Sequence, residues 1–215
     1  MSGTTKLKLY NEALWVAKER KLIALDSPAE EQSQIELDRV WDGGAVDYCL
    51  EKGLWNHAMR TQSLTYDPDT TPAFGHPFAF NKPSDFIRTA SVCLDENFTS
   101  PILDYRDEGA FWFAQIDTIY IRYVSNDNAY GNDLTLWPQT FVKYVASYLA
   151  WSVCGRLTQS DSGKDAIERE MMIKLLDAKA KDAIAEPTKI PPTGTWVSSR
   201  GRNNRERGSR SRLIG

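Results

Sequence analysis

Residues 137–185 constrain the fold of this 215-residue chain more than any other stretch. In the segment WPQTFVKYVASYLAWSVCGRL, Phe141, Tyr144, Val145, Tyr148 and Leu149 recur at the spacing of one helix face. Pro138 fits a first helical turn, where its missing N–H would have no partner anyway. The next segment, SGKDAIEREMMIKLLDAKAKDAIAE, repeats the pattern at Ile167, Met171, Leu175 and Ala178. Ser162, three residues before Asp165, gives it a start signal close to a capping box. The polar break at 158–161 is short, so the spacing predicts an antiparallel helical pair.

A first helix is predicted over residues 7–24, with Leu9 or Tyr10, Ala13, Leu14 and Ala17 on its buried side. Ser27, Pro28 and Glu30 form a start box for a long second helix over 29–51, with Ile35, Trp41, Ala45 and Tyr48 among its apolar positions. Gly43 and Gly44 fall inside that helix and predict a kink or a tight helix contact. Prolines and glycines then interrupt β-rich runs. Residues 85–94 and 111–124 are the best strands, the second bending or splitting near 115–117. Residues 102–105 are predicted as a strand whose turn, 106–109, leads into the Phe111 strand as a hairpin.

This order gives an α+β chain: mainly an α-helical bundle built from both chain ends, with a small antiparallel β insert and an extended C-terminal tail. Its segments are residues 1–54 (N-terminal helices), 55–135 (β insert), 136–186 (C-terminal helical hairpin) and 187–215 (Pro/Arg-rich tail). No apolar run approaches the roughly 20 residues of a membrane span, and the start lacks the apolar core of a signal peptide. Cys49, Cys93 and Cys154 are odd in number and set in apolar company, so they read as reduced core residues of an intracellularly made protein.

Charge is distributed unevenly. Residues 198–215 hold six arginines and one acid, leaving 20 of the 26 basic and 28 of the 29 acidic side chains in residues 1–197, a balance of −8. A basic tail on an acidic body points to a partner that the body does not meet. Arg200, Arg202, Arg205, Arg207, Arg210 and Arg212 suit carboxylates or phosphates, and Trp196 is an apolar anchor ahead of them. The tail has no aromatic after Trp196 to stack on bases, which weights a protein partner above nucleic acid.

Chemistry finds little support. His57 and His76 lack metal-ligand spacing, and His57 reads as structural or surface-exposed. Residues 127–133 are faintly calcium-like but lack the ligand spacing and terminal glutamate, so a solvated turn is favoured. No nucleophile elbow, P-loop or His-Glu-x-x-His is present. The reading is a non-enzymatic protein without a cofactor or metal.

Several segments in order resemble the phage head-to-tail adaptor family, also called head-tail connector or tail tubular protein A. They are LYNEAL (9–14) with IALDS (23–27), ELDRVWD (36–42), LWNHAMR (54–60), FAFNKPSDFIR (78–88), IRYVS (121–125) before WPQTF (137–141), and LT (157–158). The resemblance covers about residues 7–186. The chain departs from it where family members often place a glycine after the first helix: Lys18, Glu19, Arg20 and Lys21 stand there. The tail beyond Pro187 lies outside the common pattern.

The resemblance implies a structural virion protein at the head-tail junction, made in the host cytoplasm. Such a protein forms a homo-oligomeric ring of twelve under the portal protein and carries a downstream tail or nozzle protein. Viral DNA passes through its channel without sequence-specific binding, and no membrane is involved. The tail residues from Trp196 to Arg212 named above would then contact the portal. The charged face of the last helix, Glu168, Arg169, Lys174, Asp177 and Lys181, would meet the neighbouring subunit. The alternative is a nucleic-acid-binding accessory protein that uses the arginine tail; a hydrolase is a distant third.

Overall fold

In a computed structural model, residues 4–25, 32–70, 72, 74–157 and 161–185 are described, without the side chains of 161 and 162. The Ser27–Pro28–Glu30 start box, the side chain of the Ser162 cap, residues 158–160 of the polar break, the Pro-rich segment and the arginine tail lie outside them, and Asp161, assigned to the break, is the first residue of the last helix. The chain divides into two units, Met1–Ala185 and Glu186–Gly215, and the described residues all belong to the first.

Helix α4 (Gln139–Leu157) explains the fold. Apolar spacing in the sequence marked one face, yet Val142, Ala146, Ala150 and Val153 are buried along with Phe141, Tyr144, Val145 and Leu149. A helix apolar on most of its circumference has to be covered on most of it. Four helices lean on α4: α1 (Lys6–Val16), α2 (Gln32–Asp42), α3 (Ala45–Glu51) and α5 (Asp161–Ala185).

The expected helical bundle from both chain ends is not what forms. The N-terminal helices are short pieces laid on α4, and α1 and α5 are separated by an open groove. The β part is no small insert: with two three-stranded antiparallel sheets, the described residues are about 44% helix and 21% strand. The physical reason is a second core, which the alternating apolar strand residues build for themselves.

Local chemistry sets the element ends. Leu9, Tyr10, Ala13, Leu14 and Ala17 are buried as the periodicity predicts, but α1 stops at Val16. There Lys18 turns left-handed (φ 62°) and the Glu19 N–H reaches back to Leu14 O at 2.8 Å. Asn11 then clamps the returning chain, accepting from Leu22 N–H at 2.7 Å and donating to Leu22 O at 3.1 Å. Gly44, at φ 89°, breaks the expected long helix into α2 and α3. On these helices Ile35 and Tyr48 are exposed, while Gln34, Glu36 and Leu37 are buried. The polar pair is satisfied: Gln34 Nε2 donates to Leu25 O at 2.6 Å, and Arg156 of α4 reaches Glu36 at 3.3 Å. Lys6 Nζ and Tyr10 OH both donate to Asp38 Oδ1, at 2.7 and 2.8 Å, tying α1 to α2.

One sheet has the order β1 (Met59–Thr65), β6 (Thr118–Ser125), β3 (Phe86–Cys93). The other has the order β2 (Phe78–Asn81), β5 (Phe111–Ala114), β4 (Arg106–Glu108). Val92, Ile119, Ile121 and Tyr123 of the first pack with Phe80, Trp112 and Ala114 of the second. The 111–124 run splits at the expected place into β5 and β6. The hairpin into β5 forms, but its first strand is Arg106–Glu108, the residues assigned to the turn, paired with Phe111–Phe113. Asp107 draws β4 in: its carboxylate accepts from Lys82, Thr89 Oγ1 (2.8 Å) and Trp112 Nε1 (3.2 Å).

Asp85 does similar work for the first sheet. It accepts from Arg60 Nη1 (2.8 Å), Tyr123 OH (3.2 Å) and Ser125 Oγ. The 126–136 connection then folds onto the core. A Cβ on Gly131 would lie 2.2 Å from Ser125 O, so only glycine allows this approach. Gly131 O in turn accepts from Trp137 Nε1 at 2.8 Å. Within the faintly calcium-like stretch, Asp127 Oδ1 caps its own turn through Ala129 N–H at 2.8 Å.

Candidate functional site

Helix α5 spans 25 residues. Ile167, Met171 and Ala178 are buried and Leu175 is partly buried against the helical core. Of the charged residues singled out by sequence, Glu168, Arg169, Asp177 and Lys181 are exposed. Lys174 is half-buried and lines the groove between α1 and α5. Trp196, Arg200, Arg202, Arg205, Arg207, Arg210 and Arg212 lie outside the described residues.

Sequence reading missed the apolar component of this face. Met172, Ile173, Leu176 and Ile184 are 48%, 64%, 67% and 78% exposed. Leu176 lies two residues before the buried Ala178 and hence on the far side of the helix from α4. Ala180 and Ala183, also exposed, continue that side. The signal was present: apolar residues occupy two phases of the 3.6-residue period, and finding the first phase hid the second. These four large apolar side chains, rimmed by charge, form an exposed ridge.

Beside the ridge lies a groove of ≈620 Å³. Lys143 and Ser147 of α4 contribute to it between α1, with Trp15 and Val16, and α5, with Glu170 and Lys174. Trp15 is 76% exposed. The following turn presents Lys18, Arg20 and Lys21, all exposed, against the half-buried Glu19.

A smaller hollow of ≈320 Å³ lies at the other end of α5, bounded by Trp55, His57, Phe141, Ala178 and Asp182 among others. His57 sits on a 3-10 turn (Asn56–Ala58) directly before β1, with its ring 4.6 Å from that of Phe141. Both ring nitrogens are buried without a hydrogen-bond partner, and burial lowers the imidazole pKa to about 4. That makes His57 a neutral packing residue at ordinary pH. His76, on the β side, is buried with Nε2 3.6 Å from Asp104 Oδ1. The three cysteines are buried and unbridged, and burial pushes the Cys49 thiol up to about 12, far from nucleophilic.

Among the described residues there is no group of three His, Cys, Asp or Glu side chains placed to hold a metal ion, and no helix long and apolar enough to cross a membrane. No family model matches the chain, and no curated protein matches it.

Proposed function

We propose that this chain is a structural subunit, a head-to-tail adaptor of a phage virion, that assembles as a ring beneath the portal, extends the DNA channel and carries tail components. The observation that carries the subunit reading is the outward apolar side of α5, with Ile173, Leu176 and Ile184 more than half exposed. A helix apolar on two opposite sides is ordinarily covered on both, and the described residues cover this one on one side. The ordered segments shared with the adaptor family support the particular assembly, and the arginine tail supports a second, protein partner. The reading assigns no enzymatic activity and no cofactor.

Removing residues 187–215 tests the role of the tail. The truncated protein should keep its circular dichroism spectrum and unfolding temperature and lose binding to the portal. Undiminished portal binding would end that role. DNA titrations of both forms at several salt concentrations separate the nucleic-acid reading, because phosphate contacts weaken steeply with salt.

A further inference from the structure

We infer that the groove between α1 and α5 binds a nucleotide, with lysines on its phosphate and Trp15 stacked on its base, whether or not the chain is a ring subunit.

The groove, ≈620 Å³, has the size of a small-ligand site and a mostly polar lining. Three helices supply that lining in pairs one turn apart: Lys8 and Glu12 on α1, Lys143 and Ser147 on α4, Glu170 and Lys174 on α5. Opposite charges therefore stand one turn apart on two of the helices. Yet among the described residues none of these five charged side chains is ion-paired. Lys174 is half-buried, so its ammonium is partly withdrawn from water with no counter-charge. Ser147 is only 1% exposed, lines the groove, and has no side-chain hydrogen bond among the described residues. A polar group that is both buried and unpartnered calls for a ligand or water.

The chemistry of the lining selects the ligand. Three ammoniums and a hydroxyl are donors, and a phosphate group offers acceptors to all of them. Glu12 and Glu170 repel a bare anion, but they accept from the hydroxyls of a sugar and the amino group of a base. Trp15, 76% exposed on the rim, stacks on no other ring among the described residues and leaves its indole face to a base. The turn after α1 adds the exposed Lys18, Arg20 and Lys21, which draw phosphate toward the Trp15 end. An acidic peptide would satisfy the lysines, but it would meet like charge at both glutamates and bring no flat ring to Trp15.

Isothermal titration calorimetry of the full-length protein with AMP, GMP, CMP and UMP tests the site. At least one should bind at one per chain, and inorganic phosphate at least tenfold more weakly. Trp15→Ala, at an exposed position, should weaken the nucleotide at least tenfold and leave phosphate binding unchanged. Lys143→Glu, also at an exposed position, should weaken both at least tenfold, with an unchanged circular dichroism spectrum. Phosphate held by the arginines of residues 198–215 would respond to neither substitution, so the two variants separate groove from tail. Competition by a ten-residue deoxythymidine oligonucleotide would make the ligand one unit of a single strand, and no competition would make it a free nucleotide. No saturable binding of any of the four, nucleotide binding that either variant leaves unchanged, or tighter binding of a tetraglutamate peptide overturns the inference.

Discussion

Asn56 and Asp182, 126 residues apart in the chain, hold each other through both backbone and side chain. The Asn56 N–H donates to Asp182 Oδ1 at 3.1 Å, and Asn56 Nδ2 donates to Asp182 O at 3.0 Å. This pair fastens the last turns of α5 to the 3-10 turn that leads into β1.

The bond should matter locally before it matters globally. Asp182→Ala leaves the Asn56 N–H without its carboxylate and should cost about 1–2 kcal/mol of stability. Hydrogen exchange should rise mainly over the C-terminal turns of α5, since helix ends open at low free energy. Unchanged exchange there would show that the apolar contacts of Ala178 suffice.

Lys18→Gly should stabilise the protein by roughly 1 kcal/mol, because the left-handed conformation strains every residue with a Cβ. The measurement is the denaturation midpoint. An unchanged or lower midpoint would show that contacts of the Lys18 side chain outweigh the strain of its backbone.

His57 makes stability depend on pH in a window of its own. Its folded pKa, about 4, lies below the roughly 6.5 of an unfolded histidine. Between those values the unfolded chain binds the extra proton. Stability is therefore full above about 6.5 and falls as pH drops toward 4, by at most a few kcal/mol. The carboxylates act lower. Burial raises the Asp85 pKa, but hydrogen bonds from Ser125 and Arg60 outweigh it and the net shift is downward. Its contribution is full above the ordinary carboxylate pKa and is lost only as pH falls through the depressed folded value. Urea unfolding at several pH values should show the decline between 6.5 and 4 in the native chain. His57→Phe should remove that decline and leave the acid limb in place.

The sequence showed most clearly what periodicity controls. The buried face of α1, the paired helices α4 and α5, the β3 strand and the split between β5 and β6 follow from spacing of 3.6 or 2, and the structure has them. It misled where a local rule met a tertiary contact. Arg106–Glu108 reads as a turn on composition, yet pairing with β5 and the bonds to Asp107 make it a strand. The α2–α3 break needed Gly44 to turn left-handed, which glycine permits but does not announce. Gln34 and Glu36 are buried because Leu25 O and Arg156 wait for them, partners that no local window contains. The candidate surface was half legible: its charges were visible, while Met172, Ile173, Leu176 and Ile184 fall in a second apolar phase behind the one formed by Ile167, Met171, Leu175 and Ala178.

Negative-stain electron microscopy of the full-length protein mixed with a portal tests the proposed adaptor role. Portal particles should carry one further ring, lost when Leu176→Glu protein replaces the native chain. Portals left unchanged across a range of protein concentrations would contradict it.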